Sequence, residues 1–334
     1  MRGFTRSIAL FFSAVLATSV FGQGIELART GSFSAGGGDQ DFAGERTLSC
    51  DHGFVEYFMP EAPRQVGLFM WHSSSAAVWQ NRWDGGEGFQ TLFLREDYPV
   101  YLWDGPRVGR ANWGCETHTY TPVGMDQGNF VAWRLGPRFG EWFEGVQFPI
   151  KDEQAWEQAT RARYLEFDTL ENALMQAEAA AAAIDRTGPV VALTSSAGGW
   201  RAMMTRLKTD NLVGIVSYET PGFIYPEGMG IETSEGAPFG PYVVPMEDFL
   251  RLTEIPIQFV FGDNTDNTQW EPRLELAREF AELLNEHGGD AEVLVLTEAG
   301  LNGNTHIPMA DMNNEKVAEL LQDWLKRKNL DMRP

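Results

Sequence analysis

The sequence predicts an α/β protein built on a mostly parallel central sheet with helices on both faces. Three observations lead there. Apolar runs of strand length recur along the chain, several of them continuous rather than alternating, as strands covered on both sides require. Helical stretches alternate with the later runs, the order that generates a parallel sheet. The 334 residues, 43% hydrophobic with 11 Trp and 22 Phe, suffice for one large core or at most two domains.

Taken in chain order, residues 1–22 read as an export signal. Arg2 and Arg6 give a basic start, Ile8 to Phe21 an apolar run, and Val20 and Gly22 stand near a cleavage site that would open the mature chain near Gln23. That run is shorter than the roughly 20 residues a membrane span needs. Residues 23–50, rich in Gly and Ser with Gly36, Gly37 and Gly38 consecutive, predict an irregular or hairpin-rich start. Strands are expected over Gly53–Met59, Val66–Trp71, Val100–Trp103, Val190–Thr194, Val213–Tyr218, Ile257–Phe261 and Glu292–Leu296. Helices are expected over Glu171–Ile184, Trp200–Leu207, Arg273–His287 and Asn314–Arg327. The tract Ala177–Ala183 fits a helix packed closely on the sheet, since alanine is the best helix former. Residues 105–165 break the alternation and hold Trp113, Phe130, Trp133, Phe139, Trp142, Phe143, Phe148 and Trp156. They are read as a cap inserted over the carboxyl end of the sheet, where open α/β sheets bind ligands.

A formal net charge of −21, more negative once Arg2 and Arg6 are removed, disfavours nucleic acid and anionic membranes as partners. Cys50 and Cys115 are the only cysteines. An exported chain could join them, or bury both as thiols. No His/Cys cluster with ligand spacing and no phosphate-binding glycine loop occurs, so no metal or organic cofactor is implied.

The chemistry concentrates in Val190-Val191-Ala192-Leu193-Thr194-Ser195-Ser196-Ala197-Gly198-Gly199-Trp200. A buried strand, a sharp turn and a helix start are expected, with Ser196 at the turn and small residues two and three positions on. This is the pattern of a nucleophile elbow, with Thr194 in place of the first glycine. Ser195 is the neighbouring rival, but only Ser196 has the small residues at the right offsets. The amide of Ala197, at the helix N-terminus, would stabilise an oxyanion. A serine nucleophile needs a base, and the five histidines are His52, His72, His118, His287 and His306. His287 ends a helix, and His52 and His118 lie outside the core elements. His306 follows the last strand and precedes the last helix, where such a fold carries its base. Two acids end strands between Ser196 and His306, namely Glu219 and Asp263, and position alone leaves both open. His72 and Ser73 to Ser75 follow the Val66–Trp71 strand, where the second oxyanion amide is expected.

Several further blocks accompany these residues: Gly31-Ser32-Phe33, Phe54-Val55-Glu56-Tyr57, Asp104 with Gly109-Arg110, Arg134-Leu135-Gly136-Pro137-Arg138-Phe139, Gln147-Phe148-Pro149, Glu219 with Pro221-Gly222, Phe261-Gly262-Asp263, and Gly303-Asn304-Thr305-His306 followed by Asn313-Asn314. With the Ser196 elbow they make most of the mature chain resemble the secreted bacterial serine esterases of the Esterase 713-like branch of the α/β-hydrolases. The resemblance implies an α/β-hydrolase fold and assigns the triad acid to Glu219. It places the second oxyanion donor in the loop after His72, at Ser74, where a family member has adjacent cysteines and this chain has serines and a slightly shorter loop.

The expected activity is hydrolysis of a carboxylic ester, an aryl ester or lactone given the aromatic insertion, by Ser196, His306 and Glu219 through an acyl-enzyme. Readings from other classes are a carbon–carbon bond hydrolase or acyltransferase on the same triad, and a binding module with a vestigial elbow. The expected partner is a small ester, in a secreted or periplasmic protein with no membrane contact after cleavage, and the sequence leaves a homodimer open.

Overall fold

The computed structural model describes residues 24–72, 75–236, 238–266 and 268–334, so the signal segment read over residues 1–22 lies outside the described residues. The first strand, β1 (Leu27–Ala35), is followed by a hairpin of β2 (Gly38–Phe42) and β3 (Arg46–Cys50) and by β4 (Gly53–Pro60), β5 (Gly67–His72) and β6 (Val100–Asp104). Next come β7 (Val190–Ser195), β8 (Leu212–Tyr218), a short pair β9 (Ile224–Pro226) and β10 (Tyr242–Val244), β11 (Pro256–Phe261) and β12 (Asp290–Val295). Among the described residues eight strands form one sheet in the order β1-β4-β6-β5-β7-β8-β11-β12. The pairs β1–β4 and β4–β6 are antiparallel, and the strands from β6 to β12 run parallel.

Helices α1 (Ala77–Gln80), α2 (Phe89–Arg95), α3 (Asp126–Ala132), α4 (Ala155–Arg161), α5 (Leu170–Thr187), α6 (Ala197–Arg206), α7 (Met246–Leu250), α8 (Glu271–Glu286) and α9 (Asn314–Arg327) fill the connections. The continuous apolar strands behave as two-sided burial demands: every residue of β5 and of β7 is buried. Along β5, Phe69 and Trp71 enter one core cluster and Leu68 and Met70 the other; along β7, Val190 and Ala192 part from Val191 and Leu193 in the same way. The first cluster is packed by α5, α6 and α8, the second by α1, α2, α9 and part of the 105–165 segment. The alanine tract does what its small side chains permit. The turn at Gly36, with φ of +70°, comes so near α5 that a Cβ there would lie 2.5 Å from the Ala179 Cα.

The hairpin-rich start expected over residues 23–50 is present as the antiparallel β2–β3 pair, and the same stretch also supplies β1, which extends the central sheet by pairing with β4 over its length. The segment between β8 and β11 is also richer than expected, forming the parallel β9–β10 pair and α7. Both were hidden because β1 alternates short polar and apolar side chains without a strong apolar run, and β9 and β10 are only three residues each.

Residues 105–165 leave β6 and return to α5 through α3 and α4. Their aromatic side chains largely pack on one another: Phe130 lies 4.8 Å from Trp142 and 5.6 Å from Trp156 between ring centroids, and Trp142 stacks on Phe148 at 5.4 Å. Cys50 and Cys115 form a disulfide, tying the hairpin to the start of this segment. Beside it, Arg107 grips both oxygens of Asp51 at 2.8 and 3.1 Å.

Candidate active site

Ser196 stands between β7 and α6 with φ of +54° and ψ of −135°, backbone angles that a non-glycine residue holds only when its surroundings enforce them. The enforcement is visible. The Ser196 amide donates to the Tyr218 carbonyl at 2.9 Å, and the Gly199 amide donates back to the Ser196 carbonyl at 3.0 Å. The following helix sits against β5 and β8 with no room for side chains. A Cβ on Gly198 would lie 2.8 Å from the Trp71 carbonyl, and one on Gly199 only 1.9 Å from Ser217 Oγ and 2.8 Å from Thr220 Cβ. Thr194, at the position where a glycine is usual, is fully buried in β7. The Ser196 side chain is partly exposed while Ser195 beside it is wholly buried. Ala197 is the first residue of α6, so its amide has no acceptor within the helix and points with the positive end of the helix dipole.

Strand pairing places His72 opposite Ser195, which brings the start of the loop after β5 alongside the elbow. Ser74 lies outside the described residues. Ser75, the next described residue, is buried and its Oγ accepts the Ala77 amide at 3.0 Å. His72 is buried, and burial, then the positive potential of His306 and Arg201, push its imidazole down to about 3, so it stays neutral.

Glu219 directly follows β8 and is also held at positive φ, +54°. Its carboxylate is fully buried and every contact is a donor: Gly262 N to Oε1 at 2.7 Å, His306 Nδ1 to Oε2 at 2.8 Å, Arg134 Nη1 to Oε2 at 2.6 Å, and Arg134 Nη2 to Oε1. Burial alone would raise its pKa, but the Arg134 charge and the bond to His306 hold it down at about 2. An ionised Glu219 can only accept, which assigns the proton of neutral His306 to Nδ1 and leaves Nε2 with its lone pair. His306 is itself shifted downward, by burial first, against the opposing pull of Glu219.

Asp263, the rival acid, is engaged elsewhere. Its two oxygens accept the amides of Asn264 at 2.6 Å and Gly303 at 2.7 Å. It therefore braces the start of the histidine loop, while Glu219 meets the imidazole.

The histidine loop has a second brace that sequence reasoning missed. Asp311 is fully buried and accepts from the Thr305 amide at 2.7 Å, Thr305 Oγ1 at 2.9 Å and Asn304 Nδ2 at 3.1 Å. Burial raises it to about 7. Above the imidazole, Trp270 lies 4.3 Å from the His306 ring with a 32° tilt. Arg134 was readable only as part of the Arg134–Phe139 block, with no role, and Trp270 carried no signal, because neither residue reveals its partner until the chain is folded. His287 caps α8, its Nδ1 on the Leu283 carbonyl at 2.8 Å, and His118 packs on Phe167. Among the described residues no grouping of three His, Cys, Asp or Glu is arranged to hold a metal ion, and no helix is long and apolar enough to cross a membrane.

No family model matches the chain. A fungal relative, the probable secreted lipase phiG of Fungal sp. (strain ATCC 74256), is 26% identical over 322 residues, covering 82% of this chain and 85% of the relative. The solved structure of a bacterial esterase superposes with a TM-score of 0.76 at 24% identity, over 92% of this chain and 98% of that one. With its sheet order and parallel crossovers, the chain has the α/β-hydrolase fold.

Proposed function

We propose that the protein is an exported serine hydrolase that cleaves carboxylic esters through Ser196, His306 and Glu219. The observation that carries this reading is the 2.8 Å contact of His306 Nδ1 with the ionised Glu219, on the residue that follows Tyr218, whose carbonyl holds the Ser196 amide. The likeness to a protein described as a probable secreted lipase and to a bacterial esterase supports the reaction class, and the resemblance to the Esterase 713-like branch supports Glu219 as the acid.

In this mechanism His306 Nε2 takes the hydroxyl proton of Ser196 as Oγ attacks the ester carbonyl carbon. The tetrahedral oxyanion is stabilised by the Ala197 amide and by an amide of the loop after β5, at Ser74. Collapse expels the alcohol, which takes the proton back from His306 and leaves an acyl-Ser196. Water then repeats the sequence and releases the acid. Glu219 keeps the imidazole in the productive tautomer and offsets the positive charge it gains. The reading uses no cofactor. Segment 105–165 serves as the cap, and the substrate is a small ester. The aromatic residues of the segment are mostly spent on its own packing, so they say little about the acyl group.

Hydrolysis of a short-chain aryl ester by the purified mature protein tests this. Ser196→Ala is expected to lose at least about four powers of ten in kcat, and Glu219→Gln about two or more. Asp263→Asn should stay within about tenfold of wild type. Wild-type turnover in Ser196→Ala would remove the nucleophile, and equal losses in Glu219→Gln and Asp263→Asn would remove the assignment of the acid. Mass spectrometry of the exported chain should find its start near Gln23.

A further inference from the structure

Three consecutive residues, the last of α3 and the two after it, hold the acid–base pair and the indole packed against it. The Ala132 carbonyl accepts Trp270 Nε1 at 2.7 Å, the indole that lies against His306. The Trp133 carbonyl accepts the His306 amide at 3.0 Å. Arg134 spreads its two Nη atoms over the two oxygens of Glu219 and gives its Nε to the Asp263 carbonyl at 2.6 Å. The side chains of Arg134 and Glu219 are both 0% exposed, and Arg134 sits at a φ of +56°, the third such residue in the site after Ser196 and Glu219. A buried arginine in an unfavourable backbone conformation needs a reason.

We propose that Arg134, delivered by the 105–165 insertion rather than by a core strand, is a positioning residue that orients the triad acid and sets the acidic limit of turnover. The proposal rests on the catalytic reading above. A carboxylate anchored at one oxygen can turn about its last torsion, whereas a guanidinium fork on both oxygens fixes its plane and hence the direction in which it meets the imidazole. The fork also brings a full positive charge to a site where Glu219 and His306 share one exchangeable proton. Whichever of the two holds that proton, the charge weakens the pair's affinity for it. Neutral His306, the form that acts as base, therefore persists to lower pH.

Other groups face the imidazole as well. Arg273 of α8, across Trp270, acts in the same direction. His72, from β5, stays neutral through the working range. Asp311, in the loop before α9, acts on Glu219 instead, and when ionised its charge opposes that of Arg134 there. The arrangement has a catalytic cost, since the same charge weakens stabilisation of the imidazolium that forms during attack.

The test is an NMR titration of the His306 ring in wild type, Arg134→Met and Arg134→Lys, with kcat/KM measured across the same pH range. Arg134→Met is expected to raise the His306 midpoint by about one pH unit, to carry the acid limb of kcat/KM up with it and to lower kcat at least tenfold. Arg134→Lys should keep the midpoint near wild type while kcat falls, because one ammonium cannot fix both oxygens. An Arg134→Met midpoint within about 0.2 of wild type overturns the proposal even if activity drops, since only lost scaffolding would then be at work. Should Arg134→Met fail to fold, wild type decides: a His306 midpoint at or above the ordinary value of about 6.5 overturns the proposal. A midpoint that moves without the acid limb following overturns the catalytic reading of His306 and with it the claim on turnover, while leaving the effect of Arg134 on the imidazole established.

Discussion

The elbow and the proposed acid–base pair, Glu219 and His306, are held by different physics. Ser196 is fixed by one continuous stretch of chain, from Val190 to Trp200, whose geometry follows from sterics: no Cβ fits at Gly198 or Gly199, so the helix can press on β5 and β8 and the turn must pass through a disfavoured conformation. Glu219 and His306 are fixed by buried charge and hydrogen bonds drawn from four separated places: the strand end at Tyr218, the insertion at 132–134, Gly262 after β11, and the loop braced by Asp263 and Asp311. A site held by sterics tolerates changes of pH but not of volume. A site held by buried charge has the opposite sensitivities.

This contrast can be broken by substitution on either side. The largest expected effect is on the elbow. Gly199→Ala places a methyl group 1.9 Å from Ser217 Oγ and against Thr220, and overpacking of that kind should cost about 3 kcal/mol, read as a lower midpoint in urea unfolding at every pH. Loss of less than about 0.5 kcal/mol would show that the elbow has slack and that its small residues are incidental.

On the charge side the expected effect depends on pH. Asp311 is raised from its ordinary 3.8 to about 7 in the folded protein, so between those values the native state binds more protons than the unfolded one. Its contribution to stability is whole below about pH 4 and is lost as pH rises through 7. Asp311→Asn removes that slope. Relative to wild type, the melting temperature of the variant should therefore be higher at pH 8 than at pH 5, by several degrees. A difference that stays constant with pH would mean that Asp311 is ionised throughout.

The smallest expected effect returns to Ser196. Ser196→Gly should be more stable than Ser196→Ala by about 1 kcal/mol, because glycine alone accepts a φ of +54° with ψ of −135° without strain. Equal unfolding midpoints for the two variants would show that the turn is relaxed.

The same contrast explains what could be read from the sequence. The strands β4 to β8, β11 and β12 and the helices α5, α6, α8 and α9 announce themselves by continuous apolar runs or three- and four-residue spacing, and the expected limits fall within about three residues of those observed. The elbow is legible because all its parts are adjacent. His306 is singled out by elimination among five histidines. Glu219 and Asp263 could not be separated by position because both end parallel strands at the same level, and what distinguishes them is a partner 85 residues before Glu219, Arg134. Arg134 itself was visible only as part of a block shared with a family, without a role. Asp311 gave no signal at all, since an aspartate before a helix most often reads as a solvated cap.

The tripeptide at 132–134 has a consequence for how such a protein can change its selectivity. Insertions between core strands are commonly treated as exchangeable parts, swapped to alter which molecule is accepted while the catalytic core stays put. Here the exchangeable part and the core share a joint: a foreign insertion grafted between β6 and α5 would remove two carbonyls and a guanidinium that His306, Trp270 and Glu219 rely on. Libraries that aim at new substrates are therefore better confined to 116–125 and 149–161, which leaves Cys115, the keystone at 132–134 and the Gln147 bonds to Gly303 and Met312 in place.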